Sequence, residues 1–467
     1  MSDCAALVSD LHHLLQGEVT AAPEALAEVA VDFGGMVRRL PRVVVRPADS
    51  DDVARTLTYA RRNGLCVSTR AKGHSLSGQS LNEGGILIDM RSLDRIGPIN
   101  TEESWFEADA GVVWWNLAAA TLVHGLLPPV LPDAMQTTIG GTHSVGGLGT
   151  SSFRYGSQAD NCLALEIVTI EGEIIWCSPA EHSELFTHCL CSFGQLGVIT
   201  RVRHRLRKVP PRASTVLLYY ASLERLLSDM SMAAADPRAR FVGAWGRILD
   251  GRWAYFLRLT TLSGAEGPSE LGNLLEPLHY TQKVATGDEP VGEFFLQSAG
   301  AGGRLTGGPT AGKPWVDALM PGPCVGVYLR EAFDRLPAAL LRNSHLLLWP
   351  LDGRKLTRPL FMTPAGDYAV LTSVLPSVEG GNLEPHAAIM SSLSALSMAM
   401  GGKRYLYGWV EFGLEQWRSH YAERWPELNR LKHKYDPDGM LNRGFIQYEL
   451  MDMGHPPVLT PPVSASD

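Results

Sequence analysis

The segment Arg70-Ala71-Lys72-Gly73-His74-Ser75-Leu76-Ser77-Gly78-Gln79 sets a histidine among glycines and hydroxyls, directly after a run of strand composition. Successive backbone N–H groups in a Gly-containing turn make a nest for anionic oxygens such as a pyrophosphate. A histidine in such a loop is a structural residue, a metal ligand or a nucleophile. No Asp, Glu, His or Cys neighbour completes a metal shell, so no metal is expected. The structural and nucleophilic readings both stay open, because a neutral imidazole is a competent nucleophile. A second stretch, Asp133 to Gly149, carries five glycines and several hydroxyls, which let backbone approach a ligand closely and donate to its oxygens. Either loop alone is weak evidence, since turns and bulges share this composition; two loops around one strand–helix module are stronger. A third glycine run, Gly307 to Pro314, matches a P-loop up to its last position. There Pro314 replaces the required Ser or Thr, so nucleoside triphosphate binding is not expected.

Both loops need a frame. Arg42–Arg46 has strand composition and Pro47 ends it. Ser50 reads as the cap of a helix whose first turn holds Asp51 and Asp52, favoured at the positive helix end. Val53, Leu57 and Ala60 recur at helical spacing, Asn63-Gly64 stops the helix, and Cys66–Arg70 is the next strand. Gly85–Asp89 is an apolar strand, and residues 105–130 hold a strand and a helix ending at Gly125. Residues 131–160, rich in Gly, Thr and Ser, read as a ligand-wrapping loop. Strands over Leu163–Ile170 and Glu173–Cys177 precede a helix that starts from the capping box Ser178-Pro179-Ala180-Glu181 and ends near Phe193-Gly194. Gly197–Thr200 begins another strand. Trp417–Tyr435 reads as one helix, terminated by Asp436-Pro437-Asp438-Gly439.

At 467 residues the chain can hold two domains with substantial cores. A net charge of -8 argues against nucleic acid. No stretch approaches the roughly 20 apolar residues that span a bilayer. The N-terminus carries Asp3 and Asp10 and lacks the basic start of a secretion signal, so a cytoplasmic location is expected. Seven cysteines without a CxxC pair predict free thiols rather than a disulfide framework or zinc site; Cys189 and Cys191 are expected to be buried.

Taken jointly, the motifs resemble the vanillyl-alcohol-oxidase (PCMH-type) family of FAD-linked oxidases, and within it the cytokinin dehydrogenases. GHSLSGQ followed by GGILIDM is similar to the family's GHS-x-x-GQ and GG-x-x-x-DM. Asp133 with Thr138-Ile-Gly-Gly-Thr142-His-Ser144 resembles D-x-x-x-x-TVGGT-x-S. Phe153-Arg154-Tyr155-Gly156-Ser157-Gln158, Gly194 to Thr200 and Lys434-Tyr435-Asp436-Pro437 follow the FR-x-GPQ, GQFGVIT and KYDP patterns. The likeness is dense to about residue 210 and sparse beyond.

The resemblance implies an α+β fold in two domains, with a substrate-binding domain of antiparallel sheet and helices inserted into a PCMH-type FAD-binding domain. The expected divisions are an N-terminal helical segment over 1–36, the FAD domain over 37–210 and the substrate domain over 211–400. A return to the FAD domain over 401–452 and a disordered tail over 453–467 complete the chain. It further implies FAD covalently attached through His74 alone, because Gln136 stands where doubly linked relatives carry a cysteine. Thr69, Ala71, Lys72, Gly73, Ser75 and Gln79 would line FAD from the first loop. Thr138, Gly141, Ser144 and Leu148 would do so from the second, with Ile199, Tyr407 and Asn442 completing the site. Asp133 falls at the catalytic aspartate, although its type and place after Leu131-Pro132 also suit a turn. Arg258 and Trp315 are the expected further substrate contacts, Arg258 standing where the family offers an assisting glutamate. The implied reaction is oxidation of a small-molecule amine by hydride transfer to flavin, with Asp133 as base and O2 or a quinone-like electron acceptor. A berberine-bridge-like oxidation of an alcohol or ring-forming intermediate in natural-product biosynthesis is the alternative.

Overall fold

The computed structural model describes residues 2–265, 270–299, 312–342, 344–378 and 384–449. Residues 307–311 of the P-loop-like run and the proline-rich tail after Gly454 lie outside the described residues.

The chain first builds a four-stranded sheet in the order Glu18–Thr20, Val43–Arg46, Ile86–Asp89, Val67–Arg70. The last three strands run parallel, and the first pairs antiparallel at the edge. Val43 to Val45 and Ile86 to Asp89 are buried throughout, as parallel strands covered on both faces require. The Ser50–Arg62 helix makes the crossover and turns Val53, Leu57 and Ala60 inward. A five-stranded antiparallel sheet follows, in the order Ile96–Asn100, Trp105–Asp109, Val198–Arg205, Cys162–Val168, Ile174–Cys177.

From Arg212 the chain enters an eight-stranded antiparallel sheet. Its order is Gln282–Pro290, Arg212–Tyr220, Arg252–Ser263, Phe241–Leu249, Ser344–Asp352, Tyr368–Pro376, Val316–Pro321, Lys403–Arg404. One face buries Val216, Leu218, Leu257 and Leu348 against the helices Leu223–Ala235, Val325–Arg335 and Glu384–Ala399. The other face is apolar too: its Leu319, Trp349, Leu351 and Leu371 join the core of the first two sheets. The period of two along each strand therefore serves two separate cores.

Several local expectations give way. Asp49, not Ser50, caps the crossover helix, accepting from the Asp52 N–H at 3.0 Å. The Ser50 hydroxyl is drawn off to Glu166, to which it donates at 2.5 Å. The Ser178 box starts no helix: its hydroxyl accepts from the Ala180 and Glu181 amides in a turn. The helix begins only at Ser183, after His182 at φ 49°, and ends at Cys189. The glycine-rich stretch is not all loop, for Ile139–Val145 is helical. The N-terminal segment includes the Glu18–Thr20 strand. The C-terminal helix is two, Leu414–Tyr421 and Trp425–Tyr435, broken where Ala422 takes φ 47°.

Asp436 does more than end a helix. Its carboxylate is fully buried and accepts from the Lys432 ammonium at 2.6 Å and from the Met440 and Leu441 amides at 2.9 and 2.8 Å. Lys432 spends its other donors on the carbonyls of Gln195 and Leu441. This latch fixes the next residue, Asn442, beside the first sheet, where Val67 N–H donates to the Met440 carbonyl.

Candidate active site

A cavity lies between the first two sheets and the inner face of the eight-stranded sheet, lined by Thr69, His74, Asp133, Trp349 and Tyr407 among others. The His74 loop forms one wall. Gly73 and Gly78 turn it at φ 60° and 72°, where a side chain would be strained. Among the described residues, the backbone N–H groups of Ala71 to Ser75 donate to no protein acceptor, and all five residues line the cavity. The loop is pinned from behind by the N-terminal segment. The Phe33 and Gly34 amides donate to the carbonyls of Gly73 and Ser75, at 2.8 and 3.0 Å. The Asp32 carboxylate accepts from Gly78 N–H at 2.7 Å and from the Ser75 hydroxyl at 3.2 Å.

The His74 ring stacks against Phe33 at 4.2 Å and 13° and against Tyr407 at 5.5 Å and 12°. Burial, with a smaller push from the Lys313 charge, lowers its pKa to about 4, so the imidazole is neutral across the physiological range. A neutral ring keeps the lone pair that a nucleophile needs.

The second wall is the Ile139–Val145 helix and its flanks. Thr138, Gly141, Ser144 and Leu148 line the cavity. Gly140 is required by packing, since a Cβ there would stand 2.5 Å from that of Ala110. The third wall comes from the end of the chain. The Asn442 side chain accepts from Thr69 N–H at 3.2 Å and donates to the Phe193 carbonyl at 2.6 Å. Gln79 ties in the Tyr407 segment by donating to the Leu406 carbonyl at 2.8 Å. Lys72 and Ile199 also line the cavity, so all the cofactor residues read from the sequence converge on one space.

Asp133 lines the same space. Among the described residues its carboxylate takes part in no hydrogen bond and no ion pair. Burial raises its pKa, and the Arg258 charge opposes that rise. Arg258 itself does not line the cavity; it stands outside contact distance of Asp133, within reach of its charge. Trp315 does line it, held by donation from its indole N–H to the Pro376 carbonyl at 3.0 Å.

Sequence reasoning missed Asp32, Phe33 and Asp317. Asp317 lines the cavity from the eight-stranded sheet, accepts from the Ser373 hydroxyl, and keeps its second oxygen buried without a partner. Burial lifts its pKa to about 6. Nothing in the local pattern of these residues marks them, because their partners lie far along the chain. The cysteines are free thiols, with Cys189 and Cys191 buried. Among the described residues no cluster of three or more His, Cys, Asp or Glu could hold a metal, and no helix is long and apolar enough to cross a membrane.

Two family profiles match the chain, one described as an FAD binding domain over residues 41–178 and one as cytokinin dehydrogenase 1, FAD and cytokinin binding, over 270–446. An oxidoreductase of the fasciation locus of Rhodococcoides fascians is 30% identical over 426 residues, covering 90% of this chain and 96% of its own. The chain belongs to the cytokinin dehydrogenase-like family of PCMH-type FAD-dependent oxidoreductases. Cytokinin dehydrogenase 4 of Oryza sativa is 29% identical, with 89% of this chain and 87% of that one covered. Cytokinin dehydrogenase 1 of Arabidopsis thaliana is 27% identical over 89% and 80%. Among solved structures, 6-hydroxy-D-nicotine oxidase from Arthrobacter nicotinovorans superposes with a TM-score of 0.74 at 22% identity, over 91% of this chain and 96% of that one, and shares the fold. The protein is thus an FAD-dependent oxidoreductase. The run of unpartnered amides on the His74 loop suits a dinucleotide with a pyrophosphate.

Proposed function

We propose that the protein oxidises a small-molecule amine at a carbon–nitrogen bond, with FAD attached covalently through His74 alone and Asp133 as the proton acceptor. The observation that carries this reading is the Asp133 carboxylate: it lines the cavity, is raised in pKa by burial, and takes part in no hydrogen bond or ion pair among the described residues. A structural aspartate in a turn spends its oxygens on nearby amides, as Asp32 and Asp436 do here. One left free in a cavity is available to a substrate N–H. When bound, the flavin supplies the two-electron acceptor for a hydride. Removing the N–H proton at Asp133 spares the product a positive charge, which lowers the barrier of that transfer. The stacked, neutral His74 is the nucleophile for attachment, while Thr69, the Ala71 to Ser75 amides, Thr138, Ser144 and Asn442 hold and orient the cofactor. Gln136 is exposed and offers no second point of attachment. Dioxygen or a quinone-like acceptor closes the cycle.

The test is to mix holoenzyme anaerobically with a panel of secondary amines and alcohols and follow flavin bleaching. Amines bleach it and alcohols do not; bleaching by alcohols alone replaces the amine reading with the alcohol one. Denatured protein stays yellow, and His74→Ala releases its flavin on denaturation. Free FAD from denatured wild type would remove the covalent claim.

A further inference from the structure

The inner face of the eight-stranded sheet extends beyond the cavity in rows of directly opposed residues. One row runs Tyr219, Phe256, Trp245, Leu347, Ser373, Asp317, each paired with the next across the strands. Its last three members line the cavity. Its first three form a ladder of rings, 5.8 Å apart at each step, and all three are only half-buried. An apolar strip therefore runs from the cavity towards the Gln282–Pro290 side of the sheet.

Two arginines bracket the strip. Arg258 lies two residues from Phe256 and Arg247 two residues from Trp245, so both share its face. Neither forms an ion pair or hydrogen bond among the described residues, whereas most other arginines of this acidic chain are paired. Arg258 stands opposite Gly243, whose Cβ position would meet Trp349, and Trp349 lines the cavity. Burial works against the Arg258 charge, and among the described residues the opposing influence is the distant Asp133. A half-buried guanidinium without an acceptor is costly unless a ligand supplies one. Asp133 and Arg258 thus offer an acceptor and a cation, close enough to sense each other and not spent on each other.

We infer that the substrate is an amine that also carries an anionic oxygen group on a flat apolar body, Arg258 binding the anion while Trp245 and Phe256 stack on the body. This rests on the cavity being the amine-oxidising site. A carboxylate and a phosphate share the chemistry that a guanidinium fork recognises.

Binding of 2-naphthoate, 2-naphthyl phosphate and 2-naphthamide to oxidised holoenzyme, measured by calorimetry, tests it without turnover. Wild type binds at least one of the two anions at least about tenfold more tightly than the amide, the worth of a charge-assisted hydrogen bond. The tighter anion identifies the group. Arg258→Met, its flavin spectrum unchanged, removes the preference, and Arg258→Lys restores part of it. Trp245→Ala weakens anion and amide alike. Equal binding of amide and both anions in wild type, or a preference that survives Arg258→Met, overturns the inference. So does an Arg258→Met variant that only moves the pH dependence of turnover, which would make Arg258 a partner of Asp133 alone. Failure of every amine to bleach the flavin would instead sink the amine reading and leave these binding ratios standing.

Discussion

Lys432→Met is expected to cost far more than one surface charge. Both members of the Lys432–Asp436 pair are at most 3% exposed. Removing the ammonium strands a buried carboxylate and deprives the Gln195 and Leu441 carbonyls of their donor. Breaking a buried pair from one side costs about 3–5 kcal/mol. At about 2–4 °C per kcal/mol for a domain-sized unit, the first thermal transition should fall by at least about 6 °C. The damage is directional: the latch holds Met440 and Leu441, and they place Asn442 against Thr69, so flavin retention should weaken in parallel. Adding Asp436→Asn returns part of the loss, because it removes the unpaired charge while its one side-chain oxygen still accepts from one of the Met440 and Leu441 amides. Differential scanning fluorimetry, together with flavin content after gel filtration, reads both effects. A Lys432→Met variant melting within about 2 °C of wild type with full flavin would refute this account of the latch.

Asp133→Asn should fold, keep its flavin and reduce it at least about a hundredfold more slowly in stopped-flow with a true substrate; wild-type rates across pH would leave Asp133 a turn residue. Because burial raises the Asp133 pKa, the acid limb of kcat/KM should lie above the ordinary carboxylate value, activity falling as pH drops through it, and Arg258→Met should move that limb upward. A limb at the same pH in both proteins would argue against the coupling. Gly140→Ala forces a Cβ to 2.5 Å from that of Ala110 and should lower flavin content and thermal stability together; unchanged values in both would show that the helix can shift aside. Ending the chain before Tyr407 should abolish flavin retention, while a stable flavin-bearing fragment ending near residue 210 would disprove the discontinuous site.

The loops around the cavity were legible because their signal is local. Glycine at a positive φ, a histidine between glycines and hydroxyls beside them all fall within ten or so residues of sequence. Caps were less legible because hydroxyls have competing acceptors. Ser50 has the right type for a cap, yet Glu166 claims its hydroxyl and leaves the post to Asp49. Ser178 does satisfy two amides, but in a turn that His182 must reverse before the helix can begin. The KYDP run reads as a stop signal, and its aspartate turns out to be the centre of a buried network assembled from Lys432, Met440 and Leu441. Phe33 and Asp317 were invisible because what gives them meaning, His74 and Ser373, arrives by tertiary contact. Arg258 shows the same limit: its type was readable, but its place one strand beyond Gly243 and outside the cavity was not.

The walls of the cavity are contributed in the order Thr69, Asp133, Ile199, Trp315, Trp349, Tyr407 and finally Asn442, so the earliest and latest contributors are direct neighbours. During synthesis the Thr69 amide waits for its acceptor until Asn442, 373 residues later, has left the ribosome. The compartment therefore closes only after Asn442 has emerged, and a product ending before it cannot carry a finished one. Completion of the cavity is then a measure of chains that extend through residue 442.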